Sequence, residues 1–213
     1  MTFNKVASKE VFLAHGVPTP VSEIVDCSAG AKLPAMSPPY VVKPPCEGSS
    51  VGVHIVHDPS EATAAMEDAA KYGDQVLVEQ YIEGLELTVG VLDGVALPIV
   101  HIAPRSGFYD MKNKYPWLND DGGTDYYCPA DLDESTTLAV QDAALAAHCA
   151  LGIEIYSRVD VLLDKEGRPY VLEANTIPGM TASSLLPKAA QVAGYEFGPL
   201  CETIADISLK HRT

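Results

Sequence analysis

Positive charge is scarce in this chain: 14 lysines and arginines stand against 29 acids in 213 residues, a formal net charge of −15. That balance repels phosphate backbones at long range and argues against a general nucleic-acid binder, although a few lysines gathered locally can still hold a small anion. No run reaches membrane-spanning length, and the most apolar region, Val89 to Ile102, is cut by Asp93, Gly94 and Pro98. The opening string MTFNKVASKEVF lacks the apolar core of a secretory signal. The five cysteines (Cys27, Cys46, Cys128, Cys149 and Cys201) are odd in number and show neither CxxC nor Cys/His ligand spacing. Free thiols in a reducing cytoplasm are therefore expected. Gly-x-Ser-x-Gly, reactive-cysteine strings, paired histidines, internal repeats and low-complexity tracts are all missing, so no histidine is given a catalytic role. What remains, 47% hydrophobic and 20% charged, is an ordinary folded protein with room for one large domain or two small ones.

Periodicity and breakers outline its elements. Asn4 to His15 reads as an amphipathic helix with Val6, Val11, Phe12 and Ala14 as its apolar positions, stopped by Gly16 and Pro18. Strands are predicted at Tyr40 to Lys43, Val53 to Val56 and Val76 to Ile82, with a helix from Asp58 to about Tyr72. Leu87 to Leu92 and Val95 to Ile102 form a hairpin over Asp93-Gly94, a favoured turn pair. A long polar stretch runs from Pro104 to Asp133, and loops of that length are usually functional lids or disordered. An alanine-rich helix covers Glu134 to Gly152, and strands at Tyr156 to Leu163 and Pro169 to Asn175 follow. Two last helices are predicted over Pro187 to Ala193 and Gly198 to Ser208. Strict βαβ alternation is lacking, so the class is α+β, with one lobe at 1–85 and a second at 86–213.

Four strings carry chemistry. In Lys43-Pro44-Pro45-Cys46-Glu47-Gly48-Ser49-Ser50-Val51-Gly52, glycines permit close backbone approach, and N–H groups with two hydroxyls can hold phosphate oxygens. It is not a P-loop, and taken alone a plain hairpin loop is the commoner explanation. Arg158 and Asp160 share one face of their strand, and Glu173 and Asn175 share one face of theirs. Asp160 lies six residues before Glu166 and Glu173 seven after it, so the hairpin brings them nearly opposite. Two carboxylates and an amide oxygen suit Mg²⁺; a solvated polar face is the alternative. In Asn175 to Ser184, Gly179 could offer an N–H to an oxyanion, or serve only a Pro-Gly turn. Phe108 to Tyr115 places two lysines in the long loop, as a closing lid or as a solubilising surface.

Taken together, these strings resemble the D-alanine–D-alanine ligases of the ATP-grasp superfamily. The resemblance rests on VVKPPCEGSSVGV, VLVEQYIEGLELTVGVL, FYDMKNKY, SRVDVLLD and LEANTIPGMTASSL, in the family's order, and spans Asn4 to Leu209. It implies an ATP-grasp fold with ATP between the lobes, Lys5 and Lys43 on the phosphates, and Ser49 and Ser50 over them. Glu79 and Ile82 would meet adenine, and Glu86 the ribose. Asp160, Glu173 and Asn175 would hold two Mg²⁺ ions, for which Mn²⁺ can substitute. Lys114 and Tyr115 match lid residues, Arg158 and Gly179 the oxyanion-stabilising pair, and Ser184 and Leu185 the contacts to the substrate carboxylate.

The implied activity is ATP-dependent joining of two D-alanines through an acyl phosphate, a step in making peptidoglycan precursors. A relative that joins D-alanine to D-lactate or another amine is the near alternative, and a non-catalytic ATP-binding partner of a full-length ligase the distant one. The family carries a further N-terminal domain, which supplies an acidic contact to the first D-alanine and much of a dimer interface. A homodimer, or a partner supplying that domain, is accordingly expected.

Overall fold

Short runs of β-branched residues bounded by glycine and proline pair with their sequence neighbours more readily than across long crossovers. In the computed structural model, which describes residues 2–105 and 123–211, every strand pair is antiparallel. In chain order the elements are α1 (Lys5–Ala14), β1 (Ser22–Asp26), β2 (Tyr40–Lys43), β3 (His54–Val56), α2 (Ala62–Ala69), β4 (Gln75–Gln80), β5 (Gly84–Leu92), β6 (Val95–Ala96), β7 (Val100–Pro104), β8 (Thr124–Tyr127), α3 (Glu134–Ala150), β9 (Tyr156–Asp164), β10 (Pro169–Asn175), α4 (Leu185–Val192) and α5 (Phe197–Lys210).

The smaller sheet has the order β1-β4-β2-β3. Tyr40, Val42, Val56, Val76 and Val78 from one of its faces pack on Ala62, Ala65, Met66 and Ala69 of α2. The larger sheet has the order β10-β9-β5-β7-β8, with β6 alongside β5. Leu87, Val89, Val91, Val159, Val161 and Val171 pack on the alanines of α3, and Phe12 of α1 and Val17 join the same core. On the opposite face α4 and α5 cover one end through Leu186, Ala190 and Leu200. The remainder of that face, and the face of the smaller sheet away from α2, border a cleft.

Capping sets the helix starts. Asn4 Oδ1 accepts the N–H groups of Val6 and Ala7 at 3.0 and 3.2 Å, and Asp133 Oδ1 accepts that of Thr136 at 2.9 Å. Pro187 is tolerated because it falls in the first turn of α4, where its missing N–H would have had no helical partner.

Three departures from the sequence reading have physical causes. The return strand Val95 to Ile102 divides into β6 and β7, because Pro98 cannot donate to a ladder. β1 was not anticipated: it is an edge strand with only Val25 buried, so it carries little apolar signal. The stretch from Pro104 to Asp133 contains β8, whose Thr124–Tyr127 pairs with β7. Among the described residues no helix is long and apolar enough to cross a membrane.

Two glycines of β5 test how tightly the larger sheet is built. A Cβ at Gly84 would stand 1.8 Å from the Leu163 carbonyl oxygen, whereas one at Gly90 would meet the tip of Leu186 at 2.6 Å. A backbone carbonyl cannot step aside, but a leucine methyl can turn. Gly84→Ala is therefore expected to destabilise by about 3 kcal/mol and Gly90→Ala by about 1 kcal/mol, read by urea unfolding. Equal losses would contradict the register.

Candidate functional site

Strand register delivers the first charges. Val41 faces Glu79 and Lys43 faces Leu77 across the β2–β4 ladder, so Lys43 and Glu79 share the face turned away from α2. Glu79 is only 2% exposed and is ion-paired to Lys43 through Oε2. Its Oε1 lies 2.9 Å from Lys9 Nζ, an ion pair whose angle falls short of a regular hydrogen bond. Burial pushes the Glu79 carboxyl up, but the two ammonium groups outweigh it and hold it below the usual carboxylate range. Burial also pushes the Lys9 ammonium down, against the opposing pull of Glu79. Lys5, one turn before Lys9 on α1, donates to the Glu47 carbonyl at 2.7 Å and lies 3.2 Å from Glu173 Oε2. Its backbone N–H bonds the Pro45 carbonyl at 2.9 Å, so the start of α1 is fastened to the Gly/Ser loop.

That loop carries unusual backbone. Ser49 and Ser50 have φ of 54° and 60°, two successive non-glycine residues in the left-handed region. Gly52, at φ 65°, could not carry a Cβ, which would stand 2.8 Å from the Pro44 ring. Surrounding structure must hold such a conformation in place, and it recurs at ligand clamps.

A β-bulge assembles the carboxylates. Val171 faces Val161 across the β9–β10 ladder, but Glu173 rather than Leu172 faces Asp160, because the register shifts by one residue between them. Val171 and Ala174 both stay in the core, while Leu172 and Glu173 both turn to the cleft. Asp160 receives Arg158 in a two-point contact, Nε at 2.9 Å and Nη2 at 2.8 Å. Thr88, which faces Asp160 from β5, donates its hydroxyl to Oδ1 at 2.7 Å. Asn175 Nδ2 lies 3.3 Å from Asp160 and 3.4 Å from Glu173.

Two cavities, of about 370 and 390 Å³, share a wall of Lys5, Glu47, Gly48, Ser49 and Glu173. The first is lined by Lys43, Ser50, Ile82, Glu86 and Asp160, together with apolar Val41, Ile55, Ile102 and Leu172. Glu79 also borders it, but with its carboxylate directed at the two lysines. The second is lined by Arg158, Asn175, Gly179, Ser184 and Leu185 beside Tyr126. Ser184 caps α4 without a side-chain bond to that helix, and its Oγ instead accepts from the Thr181 N–H at 3.1 Å. Lys114 and Tyr115, the expected lid residues, lie outside the described residues.

The donor chemistry is compatible with a hard divalent cation. Among the described residues no three histidine, cysteine, aspartate or glutamate side chains gather as a metal cage. Mg²⁺ is usually held by one or two carboxylates plus substrate phosphates instead, and Asp160 and Glu173 border a cavity next to the lysines. Asn175 can offer its amide oxygen by rotating a side chain whose oxygen and nitrogen are nearly equal in shape.

Comparison with known proteins bears on this geometry. Residues 27–206 match the family described as D-ala D-ala ligase C-terminus. A D-alanine–D-alanine ligase of Methylacidiphilum infernorum is 48% identical over 206 residues, which cover 97% of this chain and 66% of that protein. The crystal structure of the D-alanine–D-alanine ligase from Bacillus anthracis aligns with a TM-score of 0.86 at 36% identity, covering 99% of this chain and 68% of that one. Its complex with ATP aligns with a TM-score of 0.83 at 32% identity, covering 99% and 67%. The chain thus spans about two thirds of the length of the curated relatives it matches. The two-lobed α+β ATP-grasp architecture expected from the sequence is the one these ligases share.

Sequence reasoning missed Lys9 and Thr88. Nothing in their local strings marks them, and each is defined by a partner about 70 residues away. Thr88→Val keeps the strand shape and removes the hydroxyl that fixes Asp160. The expected loss is about 1–2 kcal/mol of unfolding free energy, since the bond is to a charged group and Thr88 is buried. An unchanged urea midpoint would mean that the Thr88 hydroxyl adds nothing to the hold of Arg158 and Asn175 on Asp160.

Proposed function

Because the chain belongs to the D-alanine–D-alanine ligase family, we propose that it binds ATP in the first cavity and joins two D-alanines in the second. The observation that carries this reading is the shared wall: a nucleotide-sized cavity and a polar cavity meet at Lys5, Glu47 to Ser49 and Glu173. A phosphoryl group at that junction would lie within reach of both compartments.

In this reading the adenine rests against Ile82, the ribose hydroxyls reach Glu86, and Lys5, Lys43, Ser49 and Ser50 hold the phosphates. Asp160, Glu173 and Asn175 would hold two Mg²⁺ ions, which when bound neutralise charge on the phosphate chain. Carboxylate oxygen is a poor leaving group, so the first D-alanine attacks the γ-phosphorus through its carboxylate and becomes an acyl phosphate, with ADP released from the phosphorus. The second D-alanine attacks the acyl carbon through its amine. Arg158 and the Gly179 N–H then stabilise the tetrahedral oxyanion until phosphate leaves. The start of α4, at Ser184 and Leu185, suits the second substrate's carboxylate, since helix N-termini favour anions.

The test is phosphate release with ATP and Mg²⁺, with and without D-alanine, and mass spectrometry for the dipeptide. D-alanine-dependent phosphate and a D-Ala–D-Ala product are expected. Nucleotide binding without either would favour a nucleotide-binding partner of another ligase.

Glu173→Gln keeps the side-chain shape while removing the charge that the metals and Lys5 require. Turnover is expected to fall by at least about a thousandfold, roughly 4 kcal/mol in barrier, with a melting temperature within a few degrees of the wild type. Retention of most activity would exclude Glu173 as a residue that holds the metal ions.

A further inference from the structure

Lys9 lines neither cavity, is 3% exposed, and sits behind Glu79 with its ammonium fully engaged. It donates to Thr19 Oγ1 at 2.6 Å and to the Pro20 carbonyl at 3.0 Å, and pairs with Glu79 at 2.9 Å. The Thr19 hydroxyl in turn donates a hydrogen bond to the Val171 carbonyl of β10 at 2.8 Å. Lys9 is thereby fixed between the two sheets and does not border the space a ligand would occupy. Burying an ammonium this completely is costly unless it serves a partner.

The charges around the first cavity indicate what it serves. Six acids line that cavity (Glu47, Glu79, Glu83, Glu86, Asp160 and Glu173) against two lysines, Lys5 and Lys43. Lys43 is held to Glu79, and a lone Lys43–Glu79 pair would be neutral toward an incoming anion. With Lys9 on the other carboxylate oxygen the buried group carries a net charge of +1, presented to the cleft through Lys43. We infer that Lys9 is a positioning residue for phosphate binding: it offsets Glu79, so that Lys43 keeps an uncancelled charge facing the nucleotide. This rests on the first cavity being the nucleotide site.

The experiment measures, by calorimetry, the Kd of a non-hydrolysable ATP analogue with Mg²⁺ for the wild type, Lys9→Met, and Lys9→Met/Glu79→Gln, with melting curves for each. Lys9→Met makes the buried group neutral and is expected to weaken binding by about tenfold or more. The double variant leaves Lys43 as the only charge and restores the net +1. Because the Glu79 carboxylate faces the lysines, only the main chain of residue 79 is left to meet adenine, and Glu79→Gln retains it. Binding within about threefold of the wild type is therefore expected. A residue that mattered only for folding would give no such recovery.

An unchanged Kd for Lys9→Met overturns the inference, as does a double variant that binds no better than Lys9→Met. If Lys9→Met alone does not fold, the double variant decides by the same threefold limit, because with glutamine at position 79 it buries no carboxylate that has lost a partner. Failure of the wild type to bind the analogue would bring down the nucleotide site itself. Wild-type binding with no response to Lys9 would bring down only the role assigned to Lys9.

Discussion

One extra residue in β10 decides which side of the larger sheet carries chemistry. Strand side chains alternate, so an unbroken ladder from Val171 onward would put Glu173 and Asn175 into the valine and alanine core beneath α3. An ionised carboxylate cannot remain there unpaired. The register shift after Val171 moves Glu173 and Asn175 to the open face, beside Asp160, and brings Ala174 into the core. The contacts that β10 brings to the acidic centre depend on that shift. Asn175 reaches Asp160, Lys5 reaches Glu173, and the two cavities meet at Glu173 because the strand gives up one regular pairing. Arg158 and Thr88 hold Asp160 from the regular β5–β9 side.

The second constraint is electrostatic. A chain with a net charge of −15 has little positive potential to offer a polyanion at a distance. Its cations must therefore act at short range and in fixed places. α1 supplies two of them from one face, since Lys5 and Lys9 are one turn apart. Phe12 anchors the same helix in the core of the larger sheet, while Lys5 holds the Gly/Ser loop and Lys9 meets Glu79 of the smaller sheet. One helix thus ties the loop and both sheets together by cationic side chains, and the cleft inherits its geometry from that tie.

Much of this was legible in the sequence, and the illegible parts share a cause. The strands at Tyr156 and Pro169, the capped helix at Glu134 and the hairpin over Asp93-Gly94 follow local pattern, because period and turn chemistry are local properties. The uneven count of six and seven residues about Glu166 already held the bulge, yet alternation alone cannot say where the extra residue is absorbed. Periodicity gave Val6, Val11, Phe12 and Ala14 as the apolar positions of α1; of these Phe12 alone is buried, and Ser8 and Lys9 are buried beside it. A lysine goes inside only when a carboxylate distant in sequence meets it, and that meeting is a property of the fold. The same holds for Thr88, whose value lies in facing Asp160 from a neighbouring strand.

The strained serines and the lysine posts belong to one arrangement. A loop holding φ of 54° and 60° at Ser49 and Ser50 would relax if its flanks were free. Its flanks are not free: Pro45 and Glu47 are bonded by the backbone and side chain of Lys5, and Gly52 is packed against Pro44 and Tyr72. Lys5 also neutralises Glu173, so the residue that restrains the loop is the one that balances the acidic centre. Any anion entering the junction would compete with Glu173 for Lys5 and would meet the Ser49 and Gly48 backbone on the same wall. Loop geometry and charge balance at the junction are therefore coupled through one ammonium group, and a ligand that engages that group acts on both.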